Sequence, residues 1–305
     1  MKICVLGGGG TLGSAAAYTL AEHELAEEIV LLDTSENLAR CHAIDINHAM
    51  AWHSTTQVRV GGQADLAGAG IVLCCAGAPR VAAASRLQYL NAGAAIIREL
   101  VADLDRYCPD AVIITATNPI DTMNALLHRH SRRPRERLLG YNRNDTSRFR
   151  WLVARDFGVP VTEVEAFVMG EHGDSQVPIF SRVRINGKPL EISPEQKDSM
   201  RAGIDYFWRE WQELRVPRTP GWTSAQGFRD LVEAIVTDSG RLQPASINLE
   251  GEYGHTGISI GVPCRLGAGG MKEVARWELA PDERAAFDAS VEKMREVLAS
   301  LEEGS

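Results

Sequence analysis

The sequence has 305 residues, 45% hydrophobic and 24% charged, with a formal net charge of −8. That length supports a large core and fits two structural lobes better than one. The acidic balance argues against a polyanion-binding face, and no apolar run approaches the ~20 residues needed to span a bilayer, so neither nucleic acid nor membrane is an expected partner. The chain opens directly on Met-Lys-Ile-Cys-Val-Leu without the marks of a secretion signal, and Cys4, Cys41, Cys74, Cys75, Cys108 and Cys264 show no CxxC spacing. Both features predict a cytoplasmic protein with buried free thiols rather than disulfides or a metal site.

In chain order, apolar runs at 2–6, 28–32, 58–60, 70–75 and 111–115 read as strands, and helical spacing occupies 12–25, 36–51, 84–107 and 120–131. Strands alternating with helices predict a parallel sheet covered on both faces, a Rossmann-type doubly wound α/β domain over residues 1–142. The remainder, 143–305, has a different texture and predicts an α+β substrate and catalytic domain. It starts with a helix at 146–157, a strand at 164–169 and a polar turn at 170–175. A hairpin at 179–192 closed by Asn186-Gly187 follows, then helices at 194–215 and 223–239, strands near 242–248 and 257–266, and a final helix at 281–302.

Gly-Gly-Gly-Gly-Thr-Leu-Gly (7–13) stands between the first strand and the first helix. Gly8, Gly10 and Gly13 fit GxGxxG, whereas Gly7, Gly10 and Gly13 fit a variant one residue longer. In either register, glycines let backbone N–H groups approach a pyrophosphate at the positive end of a helix that opens with Thr11 and Leu12. A flexible turn is the bland alternative. Asp33, 20 residues after Gly13 at the end of the second strand, favours the dinucleotide site. Its carboxylate would accept ribose hydroxyls and repel a 2′-phosphate, selecting NAD over NADP.

Other residues are ambiguous one at a time. His172, in Gly-Glu-His-Gly-Asp-Ser (170–175), could be structural, although its neighbours suggest an exposed loop. Asp145 and Arg148 lie three apart on one helix face and could be an N-cap and a surface ion pair. Arg80 and Arg86 follow the strand at 70–75, where ligands bind in such sheets, but each alone reads as a solvated charge.

Together these residues resemble the lactate/malate dehydrogenase family over nearly the whole chain. The matching pieces are the glycine turn, Ala-Ile-Asp-Ile-Asn-His-Ala (43–49), Ala-Gly-Ala-Pro-Arg (76–80) with Arg86, Thr-Asn-Pro-Ile-Asp (117–121), Asp145-x-x-Arg148, Gly-Glu-His-Gly-Asp-Ser and Gly-Val-Pro (261–263), all in the family's order. The resemblance implies an NAD-dependent enzyme interconverting a small 2-hydroxy acid and its 2-oxo acid, and a homo-oligomer, dimer or tetramer. It implies His172 as general acid/base, Asp145 as its orienting partner, Arg148 as a bidentate grip on the substrate carboxylate and Arg86 as the group polarising the carbonyl. Asn118 would lie near nicotinamide and substrate. Arg80 stands where malate-type members carry Arg and lactate-type members usually Gln, which favours malate/oxaloacetate. The alternatives are another 2-hydroxy acid and a non-catalytic NAD(H) sensor, the latter disfavoured by retention of the whole proton relay.

Four departures from the family pattern bear on the substrate. Residues 81–84 are Val-Ala-Ala-Ala in place of a Lys-Pro-Gly-like stretch, and 140–144 is one residue short, with Asn144 in place of Leu. Gly93 replaces an Asn, and Trp222 falls close to the substrate pocket.

Overall fold

A computed structural model describes residues 1–77, 86–216 and 220–303. In the first half, the strands are β1 (Lys2–Leu6), β2 (Glu28–Leu32), β3 (Gln57–Val60), β4 (Ala69–Cys74), β5 (Val112–Thr115) and β6 (Leu138–Gly140). Between them run α1 (Thr11–Glu22), α2 (Glu36–Met50), α3 (Arg86–Tyr107) and α4 (Ile120–His130). The strands pair in parallel in the order β3-β2-β1-β4-β5-β6, the doubly wound arrangement. The apolar runs do not alternate because both faces are covered. Ile3, Val5, Ile29, Leu31, Ile71 and Leu73 pack with α1 and α2, whereas Cys4, Leu6, Val30, Val72 and Cys74 pack with α3. The strand order reverses between β1 and β4, which puts the ligand crevice beyond their carboxyl ends, where the glycine turn lies.

The second half comprises α5 (Arg143–Phe157), β7 (Val164–Glu165), β8 (Val168–Gly170), β9 (Gln176–Pro178), β10 (Arg184–Ile185) and β11 (Lys188–Pro189). After them come α6 (Pro194–Glu213), α7 (Trp222–Val236), β12 (Leu242–Glu250), β13 (Thr256–Gly267), β14 (Gly270–Val274) and α8 (Pro281–Glu303). Five of its strands extend the first sheet, while β7, β10 and β11 form a separate three-stranded sheet. β12 pairs antiparallel with β6 at Ser246–Gly140, β13 pairs with β12, β8 joins β13 at Gly261–Gly170, and β9 and β14 add at the far side.

Several sequence expectations need correction. The strand expected at 164–169 is two strands in two sheets, β7 with β10 and β8 with β13. The break lets Val164, Ala166 and Val168 share a third core with Phe149 and Phe180. The hairpin at 179–192 contracts to β10 and β11, with a 3-10 turn at Phe180–Arg182 before it. Asn186 (φ 51°) and Gly187 (φ 72°) take the left-handed conformations that a two-residue hairpin loop requires. Helix α5 begins three residues earlier than expected, and β6, β9 and β14 went unforeseen. All six cysteines are free, but Cys41 is exposed rather than buried. Among the described residues, no helix is long and apolar enough to cross a membrane.

Candidate active site

The dinucleotide turn is built by close approach. Gly7 has φ +82°, and a Cβ there would lie 2.7 Å from the backbone N of Ala76. A Cβ on Gly13 would lie 2.2 Å from the carbonyl oxygen of Gly7, so α1 rests on the strand end only because position 13 is bare. A Cβ on Gly8 would meet Leu31 at 2.7 Å, while Gly10, the residue before α1, has room for one. The positive φ falls on Gly7, but Gly7 and Gly8 are equally enclosed, so the turn needs glycine at the first position of both registers.

Helix α1 opens at Thr11 and Leu12 with no side-chain cap and no acidic residue in its first turn. Its first N–H groups therefore remain donors for an anion, which fits a pyrophosphate. Asp33 stands beside the turn, its carboxylate accepting the N–H of Gly9 at 2.8 Å and that of Ser35 at 2.8 Å. Asn118 is exposed just beyond β5.

The second cluster centres on Asp145 in the first turn of α5, whose side chain is 4% exposed. Its two oxygens serve two partners: Arg148 Nη1 at 2.9 Å and His172 Nδ1 at 2.5 Å. Helix α5 is tied to the histidine's strand where Thr146 Oγ1 accepts the N–H of Val168 at 3.0 Å. The positive φ of Gly170 (+87°) then ends β8 and turns the chain toward Asp145. The N–H of His172 donates to Asp121 Oδ2 at 2.6 Å, at the start of α4. With Nδ1 engaged, Nε2 is the ring nitrogen left to meet a ligand. The Arg148 guanidinium also lies 4.2 Å over the ring of Phe207 on α6.

The turn at 170–175 is not the exposed loop its sequence suggested. His172 is 16% exposed and Glu171 is buried, the latter packed against α8. From α8, Ser290 Oγ accepts the N–H of Glu171 at 2.9 Å, and Lys293 Nζ donates to Glu171 Oε2 at 2.7 Å. The Ser175 hydroxyl donates to the same carboxylate at 2.5 Å.

The electrostatics follow from this burial. For His172, burial disfavours the imidazolium, but the Asp145 carboxylate outweighs it and the pKa is raised. For Glu171, burial works against the charge, but Lys293 and Ser175 hold the carboxyl below its ordinary range. Burial pushes Asp121 up to about 6 despite the Ser246 hydroxyl and the His172 N–H. Such an arrangement can hold a proton at one imidazole nitrogen and present a cation beside it.

The structure thus gathers His172, Asp145 and Arg148 at one point, and the glycine turn and Asp33 at another. Arg80 and the 81–84 segment lie outside the described residues, as does the side chain of Arg86, which opens α3. Sequence reasoning gave no role to Asp121, Lys293 or Phe207. Asp121 could have been found from its motif, 117–121, but a lysine and a phenylalanine on amphipathic helices carry no such signal.

Residues 1–140 match the family profile described as lactate/malate dehydrogenase, NAD binding domain. Residues 143–214 and 221–304 match that of the lactate/malate dehydrogenase alpha/beta C-terminal domain. The chain belongs to the lactate/malate dehydrogenase family. It is 36% identical over 296 residues to a malate dehydrogenase of Haloarcula marismortui, covering 96% of this chain and 97% of that one. It is 30% identical over 301 residues to an L-lactate dehydrogenase of Halalkalibacterium halodurans, covering 97% and 96%. The Cryptosporidium parvum lactate dehydrogenase solved with lactic acid and nicotinamide adenine dinucleotide superposes with a TM-score of 0.93 at 30% identity, covering 99% of this chain and 98% of that one. The dehydrogenase is an NAD-dependent oxidoreductase acting between 2-hydroxy and 2-oxo acids.

Lys293→Met in this dehydrogenase leaves the Glu171 carboxylate buried without its cation, an expected loss of about 3 kcal/mol at neutral pH. The folded-state pKa of Glu171 is lowered from 4.5, so the pair's contribution is present above that value and is lost as pH falls through the folded value. The Tm gap between parent and variant should narrow on acidification. A gap that stays constant would separate Lys293 from the Glu171 charge.

Proposed function

We propose that the enzyme interconverts malate and oxaloacetate, with residues 1–142 holding NAD and 143–305 supplying most of the acid–base and carboxylate-binding groups. The observation that carries the reaction type is the Asp145 carboxylate, shared between His172 Nδ1 (2.5 Å) and Arg148 Nη1 (2.9 Å). A buried carboxylate on one ring nitrogen fixes the tautomer and raises the proton affinity of the other, as a reversible general acid requires.

NAD, when bound, supplies the hydride chemistry. In reduction His172 gives a proton from Nε2 to the 2-oxo oxygen; in oxidation it takes that proton from the hydroxyl. Arg148, its guanidinium plane braced by Phe207, holds the carboxylate next to the reacting carbon through paired hydrogen bonds. Arg86, the first residue of α3, would polarise the carbonyl, and Asn118 would hydrogen-bond near the nicotinamide and substrate. Gly7, Gly8, Gly10, Thr11, Leu12 and Gly13 cradle the pyrophosphate, and Asp33 accepts the ribose hydroxyls. Arg80 pairs with the second carboxylate. The choice of malate rests on that arginine's place in the sequence and on the malate dehydrogenases among the relatives.

A homo-oligomer accords with the exposed apolar surface around α2, where Trp52 is 93% exposed and Leu38 and Ile44 are about half exposed. Sedimentation should give at least twice the 33.3 kDa chain mass, and a monomer at micromolar concentration would exclude it.

His172→Asn should reduce oxaloacetate turnover by about 10²-fold or more while NADH still binds, because the imidazole handles a proton and not the cofactor. The parent's kcat/KM for reduction should fall as pH rises through the raised His172 pKa, above 6.5, since the protonated form is the donor. Turnover like the parent's in His172→Asn would remove the histidine from the reaction.

Arg80→Gln should shift preference from oxaloacetate toward pyruvate. A monocarboxylate offers Arg80 no second carboxylate, and losing one partner of such a pair inside a closed complex costs ~2–5 kcal/mol. The oxaloacetate/pyruvate ratio of kcat/KM should move by at least ~10². An unchanged ratio would assign substrate choice to other residues.

A further inference from the structure

The shortened segment 140–144 places Asn144 immediately before the Asp145 of the acid–base cluster. Asn144 is buried, and its carboxamide joins two elements. Its Oδ1 accepts the Tyr141 hydroxyl at 2.7 Å, and its Nδ2 donates to Ser224 Oγ at 2.8 Å. Ser224 in turn donates to the carbonyl of Pro220 at 3.2 Å, and the Tyr141 hydroxyl also lies 3.4 Å from the carbonyl of Thr223. All three bridging residues are buried, so each bond lacks water as a substitute and its loss leaves a polar atom stranded.

The tyrosine is held independently. Its side chain is 1% exposed and stacks on Phe228 with ring centroids 4.5 Å apart, and a Cβ on Gly227 would fall 2.0 Å from its hydroxyl oxygen. Glycine at 227 is therefore part of the same arrangement. On its other side, the start of α7 rests against the dinucleotide-binding helix, where a Cβ on Gly221 would lie 3.3 Å from Thr11 Cγ2 and 3.8 Å from Ala15 Cβ. The first turn of α7 thus sits between the cofactor turn and the first turn of α5, and it presents Trp222 at 69% exposure. A leucine at 144 could neither accept from Tyr141 nor donate to Ser224.

We propose that Asn144 is a specificity-determining positioning residue, clamping the first turn of α7 to the first turn of α5 and so fixing the spacing between α7 and the helix that carries Asp145 and Arg148. The specificity role rests on the reading of the space beside Arg148 as the 2-oxo acid pocket. The clamp acts through Ser224 and touches neither substrate nor cofactor. An ion pair between Arg143 and Asp230 ties the same two helices again, farther along α7, so the helices stay associated when the clamp is cut and only the α7 end is released.

The test compares the full-length parent with Asn144→Leu, Ser224→Ala and the double variant. Asn144→Leu should raise KM for oxaloacetate about tenfold with kcat within about threefold, and should raise the relative efficiency of a branched six-carbon 2-oxo acid. Ser224→Ala should move both quantities in the same direction, and the double variant should be no worse than Asn144→Leu, because both cut one bridge. Amide hydrogen exchange over 222–226 in the NADH-bound protein should quicken in each single variant. Unchanged KM and substrate ratio in both single variants, additive effects in the double variant, or unchanged exchange would each overturn the clamp. If Asn144→Leu does not fold, Ser224→Ala carries the test. A parent that turns over no 2-oxo acid would refute the pocket reading, and the exchange comparison would then decide the clamp by itself.

Discussion

A carboxylate placed out of water is costly unless both oxygens find charge or strong donors, and Asp145 is placed so in the first turn of α5. Its partners come from different parts of the chain, Arg148 one turn along the same helix and His172 from the end of β8. The pairing therefore requires α5 to begin where it does, β8 to reach the sheet through β13, and Gly170 to turn the chain back. Arg148 is held twice, by Asp145 below and Phe207 beside it, which restricts a flexible side chain before any anion arrives.

The histidine turn is steadied from three directions. Asp121 holds its backbone from α4, Glu171 is anchored by Lys293 and Ser290 from α8, and Asp145 grips its ring from α5. This brings three carboxylates close together, and the structure separates their behaviour by environment. Glu171 has a lysine and stays ionised, whereas Asp121 has mainly dipoles and is pushed toward neutrality.

The parallel half of the fold was legible because strands buried on both faces are written as uninterrupted apolar runs such as Ile71–Cys74. The second half was harder to read. Strands of two or three residues, such as β6 and β7, are too short for any periodicity, and their existence depends on partners far along the chain. The break between β7 and β8 is invisible locally because both flank one apolar stretch and differ only in which sheet receives them. In the site, the glycine turn and Asp33 followed from backbone physics, whereas His172, Asp145 and Arg148 became distinctive only as an ordered set. Lys293, 122 residues from Glu171, reads as an ordinary charge on the last helix until the fold brings the two together.

The sheet that joins β6 to β12 has a mechanical consequence. The two halves of the chain meet at a hydrogen-bonded seam of Gly140 and Ser246, reinforced where Asn124 Nδ2 donates to the Ser246 carbonyl. A hinge there would have to tear backbone pairing buried in the core, so the halves cannot open like jaws to admit a ligand.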